Sequence, residues 1–444
     1  MKSSNLCLIC FSVNKTLFDG KEGKMEKKGL VAFLASVSLI LALMLPLFGG
    51  FPPSVSAQQE KKPILIGHLH PLTGPFAMFG TACSVGIDVA IEEINRKGGV
   101  LGRPLKVINR DDRNSPEVGL REAKDLVLNR KVDFLMGNIS SAVSLAISAF
   151  AKDSKVIYIV TGSRSNSITE EKGHRYVFRI GAHVYSRVSS VAQLAAKNWG
   201  DKAKKVVMIN NDYVYGRDCA ETFMEVYGKY VSGVTLLYGD WPKLGIPDYT
   251  PYISKLMASD AEILFHSLYG GDYLTWVKQA VPAGVYNKFK VVGASCGGTE
   301  TVFGIKEGDP APLGEILSDE FPYWEIANPK AKEVAALFMD KAGTNYASYE
   351  SGLGYTTVYA LRDAIAAVKA VDTEKIIDYL AGREINSPIG KVKIQDFDHQ
   401  AQWPPYAGTM AFRPGYPWPH IVDIWHPPLE KVYRGRDDVL QRRK

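Results

Sequence analysis

From residue 63 onward, short runs rich in Val, Ile and Leu alternate with longer stretches whose apolar positions recur at helical spacing. "PILIGHL" reads as a strand and is followed by a helix that runs through Asn95; "PLKVINR", the helix "SPEVGLREAKDLVLNR", "VDFLMG", the helix "SSAVSLAISAFAK" and "KVIYIV" continue the alternation. A loop, "TGSRSNSITEEKGHRY", interrupts it. The same beat restarts near residue 185 with "YSRVSSVAQLAAKNWG", "KVVMIN", a helix after Tyr215, "VTLLYG", "TPYISKLMAS", "AEILFHS", "DYLTWVKQAVPAG" and "FKVVGAS". Strand and helix in strict alternation predict βαβ units, hence α/β architecture with parallel-rich sheets covered by helices, and the restart predicts two such sheets. After Pro310 come "SDEFPYW", helices at 329–342 and 349–369, and "TEKIIDYLAG"; "SPIGKVKIQDFDHQAQW" and "PHIVDIWHP" read as late strands. The charged end, "RGRDDVLQRRK", is expected to be a solvated tail over 436–444. No repeat of short period appears, which excludes a solenoid.

A chain of 444 residues with 46% hydrophobic content is long enough for two or three domains with full cores, and its composition is neither disordered nor fibrous. Residues 25–57 change the picture at the N-terminus: Lys27 and Lys28 precede an apolar run broken by Pro46, Gly49 and Gly50, then Val55-Ser56-Ala57. That is the layout of a cleavable secretory signal, with the true start expected at Met25 and residues 1–24 upstream of it. Removing 1–57 takes away six lysines and three acidic residues, leaving 47 basic against 44 acidic, a net charge of +3 that asks for no nucleic acid. Cys83, Cys219 and Cys296 remain, widely spaced and odd in number, so no disulfide or zinc framework follows and burial is expected for them.

Candidate chemistry lies in the loops that leave strands and enter helices, where free N–H groups and the helix dipole favour anions. "GNISSAVS" places Ser140 and Ser141 at such a helix start, one as a cap and the other as a ligand donor. "TGSRSN" adds Ser163, Arg164 and Ser165, with Gly162 allowing close backbone approach. His68 and His70 form an H-x-H pair at a strand end, but His174, His183 and His266 do not complete a hydrolase metal layout, so no metal is expected. "GASCG" fits a nucleophile elbow at Ser295; Asp398 and His399, being adjacent, make poor triad partners, and a secreted serine hydrolase is the alternative reading. "GGVLGRP" lacks the Gly-Lys-Ser/Thr ending of a phosphate-binding loop.

The stretches "ILIGHLHPLTGPFAMFG", "GIDVAIEEINRKGGVLGRPLKVINRDDRNSPE", "GNISS", "INNDYVYG" and "KQAVPAG" together resemble the type I periplasmic solute-binding proteins of the branched-chain amino acid, or Liv-type, ABC transporters. That resemblance implies two Rossmann-like lobes joined by three crossings near 183, 315 and 390: lobe I from 58–183 and 315–390, lobe II from 184–314 and 391–435. It implies a non-enzymatic, extracytoplasmic protein, a monomer without cofactor, that closes on a small organic solute and delivers it to the permease subunits of an ABC importer in the inner membrane. By position, the implied ligand contacts are Phe79, Ser140, Ser141, Ser163, Arg164, Ser165, Tyr215, Tyr269 and Ser295. Ser295 stands where amino acid binders of the family carry an acid for the ligand's ammonium, so an aromatic or short carboxylate, or an amide, joins the expected ligands unless Asp272 or Glu300 replaces that acid. Asn114 and Ser140 occupy the positions of the cysteines that many members pair, so the resemblance implies no disulfide here.

Overall fold

A computed structural model describes residues 61–294 and 299–444; the expected signal segment and start site, Ser295 and Cys296 lie outside them. Strand formation follows the apolar runs. β1 (Ile64–His70), β2 (Leu105–Asp111), β3 (Phe134–Gly137), β4 (Ile157–Val160) and β5 (Val177–Arg179) form an all-parallel sheet in the order β2-β1-β3-β4-β5. Ile64, Ile66, Phe134, Met136, Ile157 and Ile159 pack on one face, while Leu69, Leu135, Tyr158 and Val160 face Ala123, Val143, Ile147 and Ala151 on the other. This two-sided burial is why these strands read as continuous apolar runs.

A second sheet has the order β14-β13-β10-β9-β8-β6-β7, from β6 (Lys205–Ile209), β7 (Thr235–Asp240), β8 (Ile263–His266), β9 (Lys290–Gly293), β10 (Ile316–Asp319), β13 (Tyr406–Ala411) and β14 (His420–Trp425). Its first strands pair in parallel, and β13 and β14 add antiparallel at one edge. A small hairpin joins β11 (Glu384–Ser387) to β12 (Gly390–Lys393). The α/β architecture with two parallel-rich sheets is as the alternation predicts.

Helices begin where the sequence supplies caps. Ser115 accepts from Val118 N at 3.4 Å ahead of Pro116, Ser140 caps Ser141–Ser154, and Ser348 accepts from Glu350 N at 3.0 Å to open Tyr349–Val368. The long helices Ala77–Arg96 and Tyr349–Val368 approach so closely at Gly86 that a Cβ there would lie 1.9 Å from the Ser351 carbonyl oxygen. No helix of the described residues is long and apolar enough to cross a membrane.

Four details depart from expectation. The loop 161–176 leads into β5, a three-residue strand held by β4 and by Arg179's bridge to Gln400. Within "SPIGKVKIQDFDHQAQW" strand is confined to Ser387, which ends β11, and Gly390–Lys393, because residues beyond turn to bond the edge of β5: Arg179 N donates to His399 O and Ala401 N to Arg179 O. β13, rich in small residues, carried no clear signal. The charged end is a docked helix, Arg436–Arg442, with Val439 buried, since its arginines find carboxylates on distant elements.

Candidate functional site

The edge where β1, β3, β4, β6 and β8 end gathers most of the expected residues. Asn138, just past β3, organises the first loops: its amide donates to Leu69 O at 3.2 Å and to Asp112, its side-chain oxygen accepts from Ser140 N at 2.7 Å, and its carbonyl accepts from Ser163 Oγ at 2.9 Å. Burial raises the Asp112 carboxyl to about 7. Ser140 is the helix cap. Ser163 is also within 2.7 Å of Ser144 Oγ, which reaches Tyr158. Ser141 Oγ accepts from Ser165 N at 3.1 Å, and among the described residues it donates to nothing, so a buried hydroxyl proton stands available at a helix start. Ser165 Oγ donates to Asp218 Oδ2 at 2.6 Å, which ties the first sheet's loop to a helix of the second.

Rings carried by residues that follow strands of both sheets also meet. Phe79 lies 6.1 Å from Tyr269 and 6.4 Å from Tyr349 between ring centroids; Phe76 lies 5.1 Å from Tyr269, and Tyr215 meets Tyr269 edge-on at 5.6 Å. Tyr213 donates its hydroxyl to Tyr269 Oη at 2.9 Å. Phe76 and Phe79 follow β1, whereas Tyr213, Tyr215 and Tyr269 follow β6 and β8, so the rings close across the gap between the sheets.

Arg164 does not face that gap. Its Nη1 donates to Ala182 O at 2.9 Å and Thr161 O at 3.3 Å, and its Nη2 lies 3.0 Å from Glu320 Oε1. Glu320 meets a second cation, Arg187 Nη1, also at 3.0 Å, and accepts from Ala182 N at 3.0 Å. Both guanidiniums lie over Tyr349, at 5.2 and 5.9 Å from its centroid. Glu350 sits behind Gly162, where a Cβ would come 2.0 Å from its Oε1. Glu350 lies 3.8 Å from His70 Nε2 and 3.9 Å from Arg164 Nη2; burial pushes its carboxyl up to about 8, against the pull of Arg164. Burial likewise raises Asp319 to about 6.

Asp272, the expected substitute acid, braces two loops instead: it accepts from Asn211 Nδ2 at 2.8 Å and Gly245 N at 2.9 Å. The side chain of Glu300 and the whole of Ser295 lie outside the described residues. His68 and His70 are buried and bonded to each other, Nε2 to Nδ1 at 2.9 Å, with Asn109 on the far side. Cys83 joins them to bring three potential metal donors within 4.8 Å, and burial lowers His68 to about 4. Asp398 and His399 build a turn: Asp398 accepts from Gln395 and Gln400, and His399 stacks on Phe178 at 4.0 Å. Cys83 and Cys219 are free and buried. Tyr349, Phe76 and Arg187 escaped the sequence reading. The helix-opening "ASYESG" and the lone cation in "YSRVSS" were the signals.

The geometry agrees with known proteins. Residues 63–411 match the family described as "Periplasmic binding protein", a match that leaves 412–444 outside it. The "Leu/Ile/Val-binding protein homolog 4" of Brucella melitensis biotype 1 is 24% identical over 371 residues, covering 79% of this chain and 84% of the relative. A periplasmic binding protein from Burkholderia mallei superposes with a TM-score of 0.75 at 19% identity, over 84% of this chain and 97% of its own. A solute-binding protein of an ABC transporter from Rhodopseudomonas palustris HaA2, in complex with p-hydroxybenzoic acid, superposes with a TM-score of 0.74 at 22% identity, over 83% and 99%. With the family match spanning most of the chain and the two-sheet architecture in place, the chain belongs to the type I periplasmic binding proteins of the branched-chain amino acid family.

Proposed function

We propose that the protein is an exported, monomeric solute receptor of an ABC importer, that it holds a small carboxylate with an aromatic body between its two sheets, and that it performs no chemistry on it. Two observations carry this reading together: Ser141 is a buried hydroxyl at a helix start whose proton has no acceptor among the described residues, and rings from both sheets meet. A carboxylate at the Ser141–Ser154 helix start gains the dipole and free N–H groups without a full countercharge. An aromatic body suits Phe79, Tyr215, Tyr269 and Tyr349, and p-hydroxybenzoic acid in a protein of the same fold supports that class. Arg164, Ser163 and Ser165 act by shaping the loop that presents Ser141. An α-amino acid is disfavoured, since Asp272 is committed to Asn211 and Gly245.

The lobe partition belongs to this proposal. With β10 (Ile316–Asp319) in the second sheet and residues 399–401 bonded to β5 of the first, crossings just past Asp319 and past Ala401 suit this partition better than ones near 315 and 390. A solute touching both lobes binds the closed arrangement better, and that difference drives hinge closure.

A thermal-shift panel of benzoate, 4-hydroxybenzoate, leucine, isoleucine, valine, short-chain carboxylates and amides tests the reading. A bound solute at a hundred times its dissociation constant adds about 2.7 kcal/mol of stability. An aromatic carboxylate is expected to give the largest shift, and Ser141→Ala and Tyr215→Ala to abolish it. Parent-like shifts in both variants, or the largest shift from an aliphatic amino acid, would refute the assignment.

A further inference from the structure

The chain beyond β14 holds to both sheets at once. Tyr433 stacks on His183 at 4.9 Å with rings 14° from parallel, and its hydroxyl donates to Trp403 O at 2.7 Å. Next to it Arg434 is buried, its guanidinium 3.7 Å from the centroid of Tyr185. One edge of that guanidinium donates to both oxygens of Glu170, at 3.1 and 3.0 Å; the other donates to Glu225 Oε2 at 3.0 Å. Glu170 lies in the loop between β4 and β5 of the first sheet, whereas Glu225 rides on the helix Val214–Tyr230, which follows β6 of the second.

Further contacts repeat the pattern. Arg443 donates to Glu170 O at 2.9 Å and Thr169 O at 2.8 Å, and Arg442 pairs with Glu171 at 3.5 Å, all on the first sheet's loop. Gln193, on the helix Val184–Trp199 beside the second sheet, donates to Lys431 O at 3.1 Å. Asp218, on the same helix as Glu225, accepts from Asn166 N at 2.9 Å, so one helix is tied to the 165–171 loop at two levels.

We infer that residues 428–444 are an interlobe clasp, with Arg434 bridging Glu170 and Glu225 so that the closed arrangement of the two lobes is favoured before any solute arrives. The inference rests on the hinged two-lobe part of the proposed function and not on the identity of the solute. Arg434 cannot follow Glu170 and Glu225 if the sheets swing apart: its guanidinium is a rigid planar fork whose two edges are each committed. Opening therefore breaks at least one charge-assisted contact, either to the fully buried Glu170 or to Glu225, whose side chain is 30% exposed. The clasp lowers the cost of closing and so tightens binding without touching the cargo.

Small-angle X-ray scattering of the solute-free protein tests this, comparing the parent with Glu225→Gln and Arg434→Met. Glu225→Gln weakens the second sheet's arm, together with Glu225's pairs to Lys229 and Arg442, and leaves Glu170 with Arg434 and Arg442. Each variant is expected to shift the population toward open lobes by about tenfold, read as a larger radius of gyration. Parent-like scattering by Glu225→Gln would overturn the clasp, and that variant decides the matter if Arg434→Met fails to fold. Because no solute is added, failure of the aromatic-carboxylate assignment in the thermal-shift panel leaves this result unaffected, and the two failures are distinguishable.

Discussion

Glu320 and Glu350 are both fully buried acids within one cluster, and replacing each by glutamine is expected to have opposite effects on stability. Glu320 lies 3.0 Å from Arg164 and 3.0 Å from Arg187, and its second oxygen accepts from Ala182 N. Glu320→Gln leaves two buried guanidiniums facing each other without that anion, a loss of the kind that costs about 3–5 kcal/mol when one partner of a buried pair is removed. Glu350 stands farther from any cation, 3.9 Å from Arg164, and burial raises its carboxyl to about 8. Between its ordinary value of 4.5 and about 8 the folded protein holds a proton that the unfolded chain has released. Glu350's contribution is thus fully present below 4.5 and is lost as the pH rises through 8, by about 5 kcal/mol at the upper limit. Glu350→Gln is neutral throughout, so it should match the parent near pH 5 and exceed it by a few kcal/mol at pH 9. Urea melts followed by far-ultraviolet circular dichroism at both pH values measure the two effects. A Glu320→Gln loss under about 1 kcal/mol would show that Arg164 and Arg187 do not depend on Glu320. A Glu350→Gln variant whose advantage does not grow with pH would refute the buried-acid reasoning.

Other outcomes follow from single contacts. Gly86→Ala places a methyl group 1.9 Å from the Ser351 carbonyl oxygen and is expected to cost about 1–3 kcal/mol in the same urea melt. Both ring nitrogens of His68 are engaged within the fold, by Asn109 and by His70, so atomic absorption after dialysis against zinc should find no stoichiometric metal; one retained equivalent would reassign His68, His70 and Cys83 as ligands. A fluorophosphonate probe should leave Ser295 unlabelled, and labelling lost in Ser295→Ala would reopen the hydrolase reading.

The fold was largely legible because the central strands are apolar runs buried on both faces and five helices open on a capping Ser, Asn or Asp. β5 and β13 were not, since a three-residue strand and "YAGTMA" acquire their state from partners distant in sequence. The same limit applies to charge. Arg164 in a cleft-edge loop looks like a ligand contact until Glu320 faces it, and "RGRDDVLQRRK" looks solvated until Glu170 and Glu225 are brought alongside. Phe79, Tyr215 and Tyr269 became site candidates through the family resemblance, and each does follow a strand of a parallel sheet, where the fold gathers loop residues. Tyr349 opens a helix that follows no strand directly, and only its packing against Phe79 brings it in.

The central claim is that a solute is enclosed by Ser141 and by rings from both sheets and is released unaltered. Isothermal titration calorimetry with 4-hydroxybenzoate, followed by mass spectrometry of the solute recovered from the cell, tests it most directly. One-to-one binding, loss of the heat in Ser141→Ala, and quantitative recovery of unchanged 4-hydroxybenzoate are expected. Absence of binding, or conversion of the solute to any product, would contradict the account.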